Sequence, residues 1–201
     1  MRRFLFAVIL VVAGATGAVA GPAEEADSAY QRGDYAQALN LWRPLAALGN
    51  ARAQFSLGLS YELGHGVSQD TQEAVKWYRK AAEQGHAEAQ FLLGVMYTQG
   101  QGVPQDDQAA VKWFRKAAKQ GDAEAQFRLS AMYRNGQGVP QDFIRAHMWY
   151  IVAGGFALSS HDGKTGKKSR SIVTSSMTAA QIEKAQELAR RCQKTKFKEC
   201  D

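Results

Sequence analysis

Residues 49–84, GNARAQFSLGLSYELGHGVSQDTQEAVKWYRKAAEQ, run directly into residues 85–120, GHAEAQFLLGVMYTQGQGVPQDDQAAVKWFRKAAKQ, and the two strings agree at 23 of 36 positions. Residues 121–156 continue the same frame, from Gly121 and Ala125-Gln126-Phe127 through Gly138 and Asp142 to Trp149. A fixed period of this length describes one supersecondary unit stacked on copies of itself, because a single unit cannot bury its own apolar side. Repetition also weighs against an enzyme: a residue copied into every unit holds the stack together, whereas chemistry needs its group once.

Each period contains two amphipathic patterns. The first runs from about Asn50 to Leu63, with Ala53, Leu57 and Tyr61 on one line and Gln54 and Gly58 beside it. The second runs from about Thr71 to Glu83, with Ala74, Trp77, Tyr78 and Ala81. Spacings of three and four place each set on one side of a helix. The loops Gly64–Asp70, Gly100–Asp106 and Gly136–Asp142 supply glycine where the first helix must stop in a left-handed conformation. Asp70 followed by Glu73 predicts a capped start to the second helix with a capping box. Gly58 and Gly94 interrupt the first helices at a cost of about 1 kcal/mol each relative to alanine. Their recurrence predicts close approach of a neighbouring helix, with Ser130 in the third copy. Trp77, Trp113 and Trp149, on an apolar face at one repeat position, read as core wedges rather than ligand-stacking platforms.

The motif Ala-x-Ala-Gln-Phe-x-Leu-Gly-x-x-Tyr, then Gly-x-Gly-Val-x-Gln-Asp, then Ala-Val-Lys-Trp-(Tyr/Phe)-Arg-Lys-Ala-Ala-x-Gln-Gly resembles the Sel-1-like repeat, a longer relative of the tetratricopeptide repeat. The resemblance is strong over residues 49–120 and continues to about Ala153. It implies an all-α fold, a right-handed solenoid of antiparallel helix pairs. Three full units are expected, at 49–84, 85–120 and 121–156. Residues 21–48, with Gly33-Asp34-Tyr35 followed by Ala38, Leu41, Trp42 and Leu45, resemble a partial tetratricopeptide unit capping the array. Residues 157–201 read as a polar loop around His161–Lys168, a last helix opened by Thr178 and Gln181 at capping-box spacing, and a basic tail.

The two ends carry compartment information. Arg2 and Arg3 precede an apolar run from Phe4, and Ala18-Val19-Ala20 fits a cleavage site before Gly21, so residues 1–20 read as a secretory signal peptide, with an uncleaved anchor as the alternative. The protein is then expected in the periplasm or outside the cell. Cys192 and Cys200 are the only cysteines. In an exported chain they read as a disulfide closing a small loop, with two free thiols as the alternative.

Charge separates the repeats from the tail. Residues 21–160 carry 13 Lys/Arg against 14 Asp/Glu, whereas residues 161–201 carry 10 against 5. This diffuse balance, without a platform of alternating aromatic and basic residues, speaks against nucleic acid. The four histidines offer no catalytic or metal-binding grouping: His65 is matched by Gln101 and Gln137, and His86 by Asn50 and Asp122, swaps expected at exposed positions. The recurrent Lys76, Lys80, Lys112, Lys116, Arg79 and Arg115 read as a solvated face. No catalytic residue, cofactor or metal site is assigned.

Positions that vary between copies carry the binding expectation, since a solenoid keeps its core constant and differentiates its contact surface. The line opposite Ala53, Leu57 and Tyr61 holds Arg52, Ser56, Leu59 and Leu63, then Glu88, Leu92, Val95 and Gln99, then Glu124, Arg128, Ala131 and Asn135. Resemblance to tetratricopeptide arrays implies that these residues line an inner groove for a partner protein or peptide. The competing reading packs Leu59, Leu92 and Val95 against the adjacent helix pair. The expected function is a non-enzymatic scaffold or regulatory adaptor in the bacterial envelope, by resemblance to relatives that assemble signalling or envelope complexes; sensing through a membrane-bound receptor is a variant of it. The enzymatic alternative is an exported β-lactam-binding or hydrolysing protein. Relatives of that kind carry a disulfide in most repeats, whereas this chain has no cysteine between Gly21 and Arg191.

Overall fold

The structure is a computed structural model, and it describes residues 21–154 and 173–200. The leader assigned to residues 1–20 and the polar loop His161–Lys168 lie outside the described residues. Among those described, the regular elements are all helical: α1 Pro22–Gln31, α2 Tyr35–Ala47, α3 Ala51–Leu63, α4 Thr71–Glu83, α5 Ala87–Gln99, α6 Asp107–Ala118, α7 Ala123–Asn135, α8 Phe143–Val152 and α9 Ala179–Lys194. Helices pair within each unit, and each unit packs on the next through α2–α3, α4–α5, α6–α7 and α8–α9. The protein is an all-α repeat solenoid.

The repeated punctuation does the same local work in each copy. Asn50, His86 and Asp122 cap α3, α5 and α7 by accepting the amide hydrogens of Ala53, Ala89 and Ala125. Gly64, Gly100 and Gly136 end those helices in the left-handed region, with φ of 73°, 66° and 69°. Asp70, Asp106 and Asp142 then close the loop, each donating its amide to the carbonyl of Tyr61, Tyr97 or Tyr133 while its side chain caps the following helix. The capping box expected at Asp70 is only half formed. Asp70 accepts from the Gln72 and Glu73 amides, but Glu73 turns outward and pairs with Lys76. At Thr178 and Gln181 both halves are present.

Two kinds of contact lock one helix against the next. In α3, a Cβ placed on Gly58 would sit 2.5 Å from the Tyr78 ring of α4; in α5, a Cβ on Gly94 would sit 2.5 Å from the Phe114 ring of α6. The helical glycines therefore exist to admit an aromatic ring. Between units, buried Gln54, Gln90 and Gln126 donate to the carbonyls of Ala46, Ala82 and Ala118 at 3.1, 2.9 and 3.1 Å. Gln54 and Gln90 in turn accept from Gln84 and Gln120 at the ends of α4 and α6, at 2.7 and 2.8 Å. One side chain thus ties three successive helices.

The tryptophan expectation needs correction. Trp149 is fully buried, but Trp77 and Trp113 are only half-buried, and the ring completely enclosed in each of those units is its neighbour, Tyr78 or Phe114. The residue that fills the helical glycine's notch is the one removed from water. Trp77 and Trp113 instead lie along the edge of the core cluster formed with the preceding unit.

At the C-terminal end α9 lays Ala185, Ala189 and Cys192 on the last core cluster. Cys192 and Cys200 lie at disulfide distance, with Cα atoms 4.6 Å apart, and the loop between them turns through left-handed Lys196 and Phe197. Phe197 returns against Gly121.

Replacing Gly94 by alanine is expected to destabilise the protein by about 1–3 kcal/mol, the usual range for forcing an extra methyl into a filled core. Denaturant unfolding measures it, and adding Phe114→Leu should recover part of the loss.

Candidate partner-binding site

The variable line on α3, α5 and α7 is set by helix periodicity: its four positions per helix stay on one side because they step by three and four residues, and that side lies beside the buried line rather than opposite it as expected. Arg52, Glu88, Gln99, Arg128, Asn135 and Leu63 are exposed, Leu63 with half its surface open (50%). Leu59, Leu92, Val95, Glu124 and Ala131 are half-buried, and Ser56 is buried. Leu59 and Leu92 pack on the core cluster of α4 and α5, and Val95 packs on the next one. The apolar residues of this line thus serve the inter-unit core with one side and leave the other open.

Two clefts bring seven of the twelve positions together. The first, about 390 Å³, is lined by Arg52, Ser56, Leu59 and Glu88 together with Asp27, Tyr30, Gln31, Trp42, Phe55 and His86. The second, about 300 Å³, takes Gln99, Arg128 and Ala131 with Thr98, Met132 and Gln137 among its other walls. Leu63, Leu92, Val95, Glu124 and Asn135 line neither. Glu124 pairs with Arg128 at 3.6 Å on its own helix, and Asn135 accepts from Arg134 at 3.1 Å.

The first cleft holds groups that the repeat frame does not supply. Asp27 of α1 accepts the Trp42 indole N–H at 3.2 Å and forms an ion pair with Arg52. The Trp42 and Tyr30 rings are in contact with centroids 5.3 Å apart and planes tilted by 47°. Opposite them the His86 ring lies on Phe55, with centroids 4.5 Å apart and planes 17° from parallel. Burial holds the His86 pKa below its ordinary value; Glu88 pulls it upward and Arg52 pushes it down. A neutral ring suits its role, because Nδ1 must accept the Ala89 amide, at 3.4 Å.

The histidines are therefore not the exposed residues their swaps suggested. His65 is half-buried, stacked on Tyr35 at 4.3 Å and bonded to the Tyr30 hydroxyl at 2.8 Å. Burial, then the charge of Tyr35, raises the Tyr30 pKa. His147 is buried where the earlier copies carry Val75 and Val111. A polar swap in the repeat frame hid aromatic stacking because both asparagine and histidine can cap a helix. His161 lies outside the described residues. Asp27 and Tyr30 were missed for another reason: they lie on α1, ahead of the point where the shortened first unit comes into register with the later copies, whereas Trp42, 36 residues before Tyr78, was read as a core position and not as a cleft wall. The arginines also depart from a plain solvated face, since Arg79 and Arg115 reach into the next unit and donate to the Tyr97 and Tyr133 hydroxyls at 2.9 and 2.7 Å.

Among the described residues no group of three or more His, Cys, Asp and Glu is placed to hold a metal ion, and no helix is long and apolar enough to cross a membrane. Stacked helical hairpins with a conserved core and a variable face define a repeat solenoid of the tetratricopeptide-like class. The Sel1 repeat profile matches residues 27–50, 51–86, 87–122 and 123–154, and the chain belongs to the Sel1 repeat family. That profile counts residues 27–50 as a repeat in their own right. A Sel1 repeat protein from Oxalobacter formigenes, known from its crystal structure, superposes with a TM-score of 0.64 at 29% identity over 87% of this chain and 77% of that one. The crystal structure of c5321, a protective antigen present in uropathogenic Escherichia coli strains and displaying an SLR fold, gives a TM-score of 0.56 at 29% identity over 80% of this chain. This chain spans less than half of that antigen, 42%. Among curated proteins nothing matches.

Because the folded pKa of His86 is lowered, the folded protein takes up this proton at lower pH than the unfolded chain does. The cap's contribution is complete above the unfolded value of about 6.5 and is lost as the pH falls below it. His86→Asn supplies the non-titrating cap already used at Asn50. Its melting temperature is expected to fall less between neutral pH and pH of about 5 than that of the parent; equal falls in the two proteins would show that His86 is not the acid-sensitive cap.

Proposed function

We propose that the protein is a non-enzymatic scaffold or regulatory adaptor of the bacterial envelope, holding a partner protein or peptide against the first-helix face of its solenoid. Sel1 repeats as a class mediate protein–protein contact. The observation that carries the reading is where the units differ. In the repeat frame Arg52 becomes Glu88 and Glu124, Ser56 becomes Leu92 and Arg128, Leu59 becomes Val95 and Ala131, and Leu63 becomes Gln99 and Asn135. Both clefts on α3, α5 and α7 include these positions, while the glutamine ties and glycine notches beneath them stay nearly constant. A surface allowed to vary over an invariant frame is suited to a shaped partner rather than to reaction chemistry.

The leader features of residues 1–20 and the paired Cys192 and Cys200 support the envelope assignment, since disulfides persist in oxidising compartments. The resemblance to c5321 in fold adds an antigen among the neighbours.

A photo-crosslinking side chain at the exposed positions of Glu88 or Gln99 is expected to trap a discrete protein adduct in living cells, whereas the same group at Gln108 on α6 traps none. Adducts of equal yield from all three positions, or from Gln108 alone, would remove the groove assignment. The purified protein is expected to leave nitrocefin unhydrolysed. Turnover that disappears on changing one side chain would restore the β-lactam-hydrolysing reading.

A further inference from the structure

The outer face of the second helices carries a pattern that the partner-binding site does not use. On α4 the Lys80 ammonium lies 4.1 Å from the centre of the Trp77 ring, and on α6 the Lys116 ammonium lies 4.2 Å from that of Trp113. Both indoles are half-buried and both lysines exposed. Around Trp113 the pattern widens into an open cleft of about 390 Å³ whose other walls are Ala109, Lys112, Arg115, Lys116 and Lys119. No acidic residue occurs between Asp107 and Asp122. The α4 copy is weaker in charge, because Lys76 is paired with Glu73 at 2.5 Å and Glu83 is exposed nearby.

The third unit shows what this line becomes when it is covered. The equivalents of Lys112, Trp113 and Lys116 are Met148, Trp149 and Val152, all buried in the core cluster shared with α9. Where the line is open, the indole is retained and its flanks are long aliphatic stems ending in charge. Such stems lie along apolar surface while their heads stay in water, and indoles favour the boundary between water and lipid headgroups. Every polar group that the lining side chains offer is a hydrogen-bond donor. That set suits a partner presenting only acceptors and negative charge. Its spread over a helix face, without an enclosed pocket, suits a surface rather than a single ligand.

We propose that the outer face of α6, extended by Trp77 and Lys80 of α4, docks the protein peripherally on a lipid bilayer bearing anionic headgroups. Each lysine near such a surface contributes about a fivefold gain in binding, falling off within the screening length of the salt. Attachment is thus expected to be reversible and lost at high salt. It leaves the α3, α5 and α7 line to the partner.

The test uses the chain from Gly21, which contains every residue of the three core clusters. Sedimentation is compared with vesicles of phosphatidylcholine alone and of phosphatidylcholine with phosphatidylglycerol. Binding only to the second is expected, weakened on the order of a hundredfold by K112Q/K116Q/K119Q, which alters exposed residues only. Circular dichroism checks that this variant stays folded. The comparator R190Q/R191Q/K194Q, on the exposed side of the basic α9, is expected to bind nearly as the parent does. Trp113→Phe should remove most of the vesicle-induced protection of tryptophan fluorescence from acrylamide. Equal sedimentation with both vesicles, none with either, or loss with the α9 variant and not with the α6 variant would each overturn the proposal; so would capture of an acidic peptide through the α6 lysines without any vesicle binding.

Discussion

A helix ends with carbonyl groups that have no partner inside it, and in a stack of hairpins some of those ends are buried. The carbonyls of Ala46, Ala82 and Ala118 are in that position; each accepts the amide of the turn glycine three residues on, Gly49, Gly85 or Gly121, and takes a second bond from the glutamine of the following helix. A hydrogen bond of this kind contributes about 0.5–1.5 kcal/mol net, so this donor cannot be traded for a hydrocarbon of similar volume without loss. Because Gln84 and Gln120 occupy the other end of the same amide, the bond also fixes how far the second helix of the unit swings. The glycine notches then set how near it comes. Register and spacing of the stack follow from those two contacts, and the variable face is carried wherever they place it.

The core is made largely of alanine. Ala74, Ala81, Ala82 and Ala89 in one cluster, and Ala110, Ala117, Ala118 and Ala125 in the next, are all essentially without exposure. Small residues bring helices close and leave little freedom of packing, so large side chains enter only where a gap is kept for them. Tyr78 shows the arrangement: its ring fills the Gly58 notch while its hydroxyl donates to Glu62 at 2.5 Å, and burial followed by that bond raises its pKa well above the ordinary tyrosine value. Arg79 and Arg115 add charged donors across the joints to the next unit. Aromatic and polar anchors thus give direction to an otherwise smooth alanine interface.

Much of this was legible in the sequence because copying makes constraint visible. Gly58 and Gly94 could be read as a close approach before any ring was placed opposite them, and Asp70, Asp106 and Asp142 as caps. What escaped reading lay outside the frame or looked alike within it. Trp77 and Tyr78 are adjacent, both aromatic and both recurrent in kind, and a step of one residue around a helix decides which is enclosed. The first unit lacks about a third of the period, so Asp27 and Tyr30 of α1 had no counterpart to mark them as walls of a cleft, and Trp42, 36 residues before Tyr78, was legible as a core position but not as a cleft wall. The glutamine ties were visible as an invariant polar position on an apolar side, but their partners are backbone atoms, to which side-chain patterns are blind.

The near-identity of successive joints has a consequence for how such a chain changes length. Ala82 and Ala118 receive equivalent bonds from Gln90 and Gln126, and the loop glycines Gly102 and Gly138 rest on the opening turns of α4 and α6 in the same way. Removing residues 85–120 as a block would therefore present Gln126 with the Ala82 carbonyl and Gly138 with the start of α4, a surface it already fits. Unequal exchange between copies of the gene segment can then lengthen or shorten the protein by whole periods while each product meets a ready-made interface, so the span of surface offered to partners is free to evolve separately from the means of folding.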